Sequence, residues 1–373
     1  TIEVDDQAPS TIVDMPLEAL DRLSQVAGAV LSVRAGQASH QLPAALVDPA
    51  AVAASLGVQP EQIQLRVTVR KLDDEQASDW LGAARAEGGS VIGSVYDFRL
   101  TAHAGDKSLP LDDFGYRYFT STLDWPAADL PEPGSYLTAV TIDPATGALV
   151  FVPAKITAAE GRMQAAIQRT HNGPVAIVQL RRSFADTQGH WAQQAVERLA
   201  SKLVAQGVAD DRFAPDREIT RAEFVALLVR TLGLAANSNS AAAEAAYGDV
   251  LSTDWHAGAI AIASDAGLVR GFSDGSFRPN RSISREELAV LIAQAMDFAS
   301  PSPSTDDADR TLASAGFKDA DRIAPWAQEA VQRAAQAGLM IGYPDETFAP
   351  HERATRAQAA VLLQQLALML GFM

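Results

Sequence analysis

A tryptophan is followed 22 residues later by a phenylalanine and 8 residues after that by an arginine, three times over: Trp191, Phe213, Arg221; Trp255, Phe277, Arg285; Trp326, Phe348, Arg356. No copy needs a gap. A register held across three anchors marks a repeated structural unit. Each arginine stands second in a Thr/Ser-Arg-x-Glu/Gln tetrapeptide, namely Thr220-Arg-Ala-Glu223, Ser284-Arg-Glu-Glu287 and Thr355-Arg-Ala-Gln358. The Trp-to-Trp spacings are 64 and 71, so length varies only between the units.

Within each copy the pattern is helical. Trp191, Ala195, Val196, Leu199 and Leu203 mark one apolar face, and Trp255, Ala259, Ile260, Ala263 and Trp326, Ala330, Val331, Ala334 mark its counterparts. This predicts mostly core roles for the tryptophans, and Phe213, Phe277 and Phe348 read as core plugs. Each first helix leads to a loop opening on Gly207, Gly271 or Gly342, read as helix-ending left-handed residues. A missing side chain there would also let a ligand approach the backbone. Pro215, Pro279 and Pro350 follow the phenylalanines, and a second helix begins at each tetrapeptide. Residues 235–246 and 299–314 are linkers by composition.

The tetrapeptides satisfy the capping box: the hydroxyl covers an orphan backbone N–H and the Glu or Gln reaches back. That assigns Glu223, Glu287 and Gln358 to caps, not to catalysis. The arginines are left over. A cation in a first turn faces the positive end of the helix dipole, at a cost of roughly 0.3–1 kcal/mol. Two compensations are open: an ion pair with Asp186, Asp249 or Asp319, or an anionic ligand held by guanidinium and helix N–H groups together.

Residues 1–182 carry a different signal. Ile63 to Arg70 alternates as a half-buried strand does, and Tyr96 to Thr101 repeats the pattern. Tyr136 to Ile142 and Leu149 to Val152 flank an Asp143-to-Gly147 turn, a hairpin signal. Gly161 to Ile167 and Pro174 to Leu180 close the series. Two short helices are expected, near Pro16 to Val26 and near Asp48 to Gly57, the second with Asp48 as N-cap and Gly57 as stop. The predicted class is a β-sandwich with small helical insertions.

The totals bound the functions. The chain has 373 residues, 47% of them hydrophobic, enough for two or three domains with real cores. It has no cysteine, hence no disulfide and no thiolate metal site. A formal charge of −16 without a basic tract argues against nucleic acid. No apolar run approaches the ~20 residues of a membrane span. The chain opens Thr-Ile-Glu-Val-Asp-Asp, which reads as a mature or trimmed form, so the missing signal peptide says nothing against secretion. Asp274-Gly275 lacks the carboxylate ladder of a calcium loop, so no metal site is expected.

The assembled pattern, Phe/Tyr-x-Asp…Trp…Gly-Phe/Tyr-x-Asp-Gly…Phe-x-Pro…Ile-Thr-Arg-Ala-Glu, resembles the S-layer homology module, found as three tandem copies in Gram-positive cell-surface proteins. The resemblance covers Phe184 to the C-terminus. It implies one all-α pseudo-threefold domain over 183–373, with repeats at 183–235, 246–299 and 315–373, a central three-helix bundle and three grooves. It also implies a ligand, secondary cell-wall polysaccharide, often ending in a pyruvylated N-acetylmannosamine whose ketal carries a carboxylate. Carried over position by position, Arg221, Arg285 and Arg356 look like the ligand arginines. Asp186, Asp249 and Asp319 with Trp191, Trp255 and Trp326 look like groove positions, and Gly207, Gly271 and Gly342 like groove glycines. The copies differ. Leu203 stands against Gly267 and Gly338, Val208 against Phe272 and Tyr343, and Gln358 against a Glu.

The segment from Tyr136 to the first repeat also looks like the β-rich module preceding such repeats in some bacilli of the Paenibacillus type. No Gly-x-Ser-x-Gly, His-Glu-x-x-His or phosphate-binding glycine loop occurs, and His40, His103 and His171 are scattered. Asp112, Asp113 and Asp124 suit turn and solvated-face roles. The expected protein is an α+β multidomain, non-catalytic, without cofactor, extracellular at the cell wall or S-layer surface. Two alternatives are a wall-anchored enzyme with a catalytic first half and a self-associating lattice protein.

Overall fold

The computed structural model describes residues 1–4, 8–112, 114–126, 134–159, 161–234, 247–299 and 316–373. Asp113 and both linkers lie outside these residues, except Ala299, which ends a helix. The chain divides into two compact units. One is Thr1–Arg181 with Ser201–Leu203 and Phe372–Met373; the other is Arg182–Ala200 with Val204–Gly371.

In the first unit the order is β1 (Ile2–Val4), β2 (Ser10–Pro16), α1 (Leu17–Ser24), β3 (Val30–Ala35), β4 (Ala38–Pro43), α2 (Pro49–Leu56), β5 (Gln64–Lys71) and α3 (Ser78–Ala86). It continues through β6 (Ser90–Ala104), β7 (Lys107–Pro110), β8 (Phe119–Pro126), β9 (Tyr136–Ile142), β10 (Leu149–Val152), β11 (Ala154–Ala159), β12 (Arg162–Arg169) and β13 (Gly173–Leu180). Two sheets form, β1-β3-β4-β8-β12-β11 and β10-β9-β13-β6-β5-β2, with β7 on β6. Their facing side chains make one core: Val33, Leu42, Phe119, Leu123 and Ile167 from the first sheet, Leu65, Val67, Phe98, Leu100 and Val175 from the second. The alternation of β5 is realised, with Leu65, Val67 and Val69 inward. Asp48 caps α2 through Ala50 N at 2.9 Å, and Gly57 ends it at φ 63°. The Asp143-to-Ala148 turn joins β9 to β10. Helix α3 carries no apolar stripe strong enough to be expected from sequence; Ala84 is its one fully buried residue among those described. Asp124 is structural: it takes Arg34 Nη2 at 3.1 Å and Gln164 Nε2 at 2.8 Å.

Among the buried polar groups of this unit is a histidine. His40 on β4 is 0% exposed, paired in register with Ser121 on β8, whose Oγ lies 3.1 Å from its Nδ1. Its ring is flanked by Phe98 and Phe119 at 5.2 and 5.3 Å. Burial, then the charge of Arg169, push its pKa from 6.5 down to about 3.

The second unit runs α4 (Gln193–Ser201), α5 (Arg221–Thr231), α6 (Ala257–Asp265), α7 (Arg285–Ala299), α8 (Gln328–Gln336) and α9 (Arg356–Met369). Its copies close into a ring. Ile219 N donates to Ala354 O at 2.9 Å, Ala354 N to Ile283 O at 3.1 Å, and Ile283 N to Ile219 O at 3.1 Å. The first N–H groups of the second helices are satisfied across copies: Arg221 N by Arg281 O at 2.9 Å, Arg285 N by Glu352 O at 3.0 Å, Arg356 N by Arg217 O at 2.9 Å. A capping box stands at each of Thr220, Ser284 and Thr355. Helix α5 packs on α6 and α9, and α7 on α8.

Each copy turns on a strained residue. Phe213, Phe277 and Phe348 are 0% exposed, and the residue after each, Ala214, Arg278 or Ala349, is left-handed at φ 57°, 58° and 55°. A non-glycine residue there is disfavoured. An aspartate of the same copy fastens the turn. Asp186 accepts from Phe213 N at 2.8 Å and Ala214 N at 2.7 Å; Asp249 from Phe277 N and Arg278 N at 2.7 and 2.8 Å; Asp319 from Phe348 N and Ala349 N at 2.7 and 2.8 Å.

Two outcomes follow for stability. His40 is neutral in the fold between pH 6.5 and about 3 while the unfolded chain binds a proton there. Its contribution is therefore intact above 6.5 and falls on acidification by about 1.4 kcal/mol per pH unit until the folded pKa is passed. Chemical denaturation from pH 7 to 4 reads this slope, and His40→Gln flattens it. Asp319→Ala strips a carboxylate from two N–H donors and costs about 2–4 kcal/mol in the same measurement.

Candidate functional site

The three arginines reach out of their own copy into the next. Arg285 donates from Nε to Phe348 O at 2.8 Å and from Nη2 to Ile341 O at 3.2 Å. Arg356 donates from Nε to Phe213 O at 2.8 Å and from Nη2 to Gln206 O at 2.9 Å, which joins the third copy to the first. Arg221 donates from Nη2 to Arg270 O at 2.7 Å. Each guanidinium also lies over aromatic rings of the copy it enters. Arg221 is 4.7 Å from the Phe277 centroid, Arg285 5.0 Å from Phe348 and Arg356 4.5 Å from Phe213.

This corrects the electrostatic argument made from sequence. The dipole penalty of roughly 0.3–1 kcal/mol is real. A charge-assisted hydrogen bond supplies about 1.5–3 kcal/mol, and a desolvated ring face about 0.5–2 kcal/mol. Carbonyls and rings outweigh the dipole, so no anion is required. Nor do Asp186, Asp249 and Asp319 pair with the arginines of their own copies, because their oxygens are taken up by the Phe turn. A looser pairing exists: Arg356 Nη1 lies 3.6 Å from Glu223 Oε1.

The three corners are not equivalent. Arg285 and Arg356 each place two nitrogens on carbonyls, whereas Arg221 places one, and its Nε is buried with no partner. The Arg221 side chain is 7% exposed. Its surroundings are cationic and aromatic: Arg278 and Arg281 stand 4.0 and 5.2 Å from the Phe272 ring, with Arg221 at 5.4 Å. Burial lowers the Arg221 pKa from its ordinary value, and the Glu287 charge acts against that shift. Burial tends to raise Glu287 itself, but the Ser284 N–H and Arg281 outweigh it and hold its carboxyl low.

The tryptophans also depart from expectation. Trp191, Trp255 and Trp326 are 64%, 65% and 59% exposed, not core. Each stands two residues before its helix starts, so the helical face begins after it: Ala192, Val196 and Leu199 are buried in the first copy, Ala327 and Val331 in the third. An indole so exposed leaves on the order of 2–3 kcal/mol of burial unclaimed, three times at equivalent places.

The loop glycines have a packing reason. Gly207, Gly271 and Gly342 are absent from the left-handed positions, which fall instead on Leu203, Gly267 and Gly338 at φ 63°, 71° and 70°. A Cβ on Gly207, Gly271 or Gly342 would meet the ring of Phe184, Tyr247 or Phe317 at 2.8, 2.3 or 2.7 Å. These rings pack in turn on Phe213, Phe277 and Phe348 at 5.6, 5.1 and 5.3 Å.

Two neighbours carry a weaker sequence signal. Glu286 is 6% exposed, and its carboxylate accepts from Ala324 N at 3.1 Å and contacts His351 Nδ1 at 3.1 Å. Its only mark in the sequence is a charged x in one tetrapeptide, where the other two have Ala222 and Ala357.

The S-layer homology domain pattern matches residues 183–225, 246–289 and 316–360. An amylopullulanase of Thermoanaerobacterium thermosulfurigenes is 33% identical over 225 residues, 60% of this chain and 11% of the relative. A surface layer protein of Brevibacillus choshinensis is 37% identical over 106 residues, 28% of the chain and 10% of the relative. A cellulosome-anchoring protein of Acetivibrio thermocellus is 29% identical over 160 residues, 43% of the chain and 34% of the relative. The chain thus spans about a tenth to a third of the length of these relatives. Between residues 183 and 360 it carries three tandem S-layer homology domains.

Proposed function

We propose that the chain holds a protein at the bacterial cell surface by binding an anionic wall glycan, a secondary cell-wall polysaccharide with a terminal pyruvylated sugar. The observation that carries this reading is the triple of exposed tryptophans, one at the equivalent place in each of the three repeats that also carry the arginines. An indole face matches the apolar face of a sugar ring, and guanidinium donors suit a ketal carboxylate. The S-layer homology domains and the surface and anchoring proteins among the relatives support the same assignment.

The first unit acts as a spacer or binding module without catalysis. Its buried polar groups serve the sandwich: Asp97 takes Arg70 and Arg99, and Arg169 Nη2 donates to Gly173 O at 2.7 Å. The aligned relatives include enzymes and non-enzymes.

Indole and guanidinium are expected to separate in their effects. Trp191→Ala, Trp255→Ala and Trp326→Ala combined leave the melting temperature near wild type and weaken wall-glycan binding at least about tenfold, as loss of stacking faces does. Arg356→Ala instead destabilises the fold by about 2–4 kcal/mol, since it abandons two carbonyl bonds. Calorimetric titration with purified wall polysaccharide, set beside thermal melts, checks both. Undiminished binding by the triple tryptophan variant would refute the reading.

A further inference from the structure

We infer that the sandwich of the first unit holds an internal water among His40, Arg169 and Asn172, where it meets the guanidinium Nη1, the imidazole Nε2 and the amide Oδ1. This site goes beyond the anchoring reading and does not depend on it.

A short connection brings two of the three together. Arg169 ends β12 and Gly173 begins β13. Gly173 turns the chain at φ 124°, and Arg169 Nη2 closes the turn by donating to Gly173 O at 2.7 Å. Asn172 lies in the same turn. Its Nδ2 donates to Leu111 O at 2.7 Å, which orients the amide and leaves Oδ1 over. His40 reaches the same region from β4, with Nδ1 already on Ser121. Its ring and the Arg169 guanidinium both lie against Phe98 of the facing sheet, 5.2 and 5.6 Å from the ring centroid. Besides burial, the groups that bear on the His40 proton are the Arg169 charge and the Asn172 side chain.

His40, Arg169 and Asn172 are 0%, 3% and 8% exposed. Each keeps one buried polar atom with no partner in the protein: Nε2, Nη1 and Oδ1. Such atoms are costly unless satisfied, and an ordered water satisfies them where side chains do not. A buried water makes about three hydrogen bonds, which matches the three unmet atoms. Their chemistry selects water over an ion. Arg169 Nη1 can only donate, and Asn172 Oδ1 can only accept. An anion would suit the guanidinium and face the amide oxygen; a cation would suit the amide oxygen and face the guanidinium. Water serves both, and it pairs with Nε2 whichever tautomer Ser121 sets. The Asp97 carboxylate already acts on Arg169 as a countercharge, so no anion is needed.

A high-resolution crystal structure of the full chain, from crystals soaked in bromide, tests the site. The expected result is a water within about 2.7–3.2 Å of Arg169 Nη1 and of at least one of His40 Nε2 and Asn172 Oδ1, with no anomalous signal from bromide. A bromide in that place overturns the inference, because the site would then select an anion. The three side chains closed on one another, with no water among them, overturn it too. In solution, oxygen-17 relaxation dispersion counts long-lived internal waters. Asn172→Leu and Arg169→Met are each expected to hold one fewer than wild type. An unchanged count in either variant, where it still melts cooperatively, contradicts the inference; if both fail to fold, the wild-type crystal structure decides.

Discussion

The second unit depends on how the peptide at each buried phenylalanine is held. In the first and third copies it is gripped from both sides: the N–H by Asp186 or Asp319 of the same copy, the carbonyl by Arg356 or Arg285 of the preceding one. The grip fixes a left-handed residue that would otherwise be strained, and it places the phenylalanine in the core. Because that carbonyl is gripped by the neighbouring copy, neither the first nor the third copy completes its turn alone. The ring of hydrogen bonds through Ile219, Ile283 and Ala354 repeats the same dependence in the backbone. Cyclic closure is therefore a property of all three copies together.

This bears on how far the sequence could be read. The repeat, the capping boxes and the buried phenylalanines were legible, since each rests on a local spacing with a fixed physical meaning. The partner of the arginines was not. A carbonyl acceptor has no sequence signature, because every residue has one, so an unfavourably placed cation looked as if it needed an anion. Trp191, Trp255 and Trp326 misled for a related reason. They fit the apolar periodicity of the helix that follows, but they stand just outside it. Gly207, Gly271 and Gly342 invited a left-handed reading from their position after a helix, whereas a ring crossing the Cα explains them.

The first unit shows the same division. The strands with clean alternation, such as β5, were recognisable. β4 and β8 put Ser39, His40, Ser121 and Asp124 among their buried positions and were not, and β3 went unread although its inward Leu31, Val33 and Ala35 alternate. His40 and Ser121 face the core joined through Nδ1 and Oγ, positions that an apolar-polar pattern scores as exposed. The pair matters for pH dependence, not for recognition, and it separates the stability of the sandwich from the chemistry of the repeats.

The structure divides labour in the repeats: arginine carbonyl bonds hold the ring, and the exposed indoles are left for the proposed glycan contact. A crystal structure of the chain with a bound pyruvylated wall-glycan fragment tests this most directly. The account predicts a sugar ring stacked on an indole of the repeats, with Arg285 and Arg356 still on the carbonyls of Phe348 and Phe213. Glycan bound away from all three indoles, or Arg285 and Arg356 withdrawn from those carbonyls to hold the carboxylate, would contradict it.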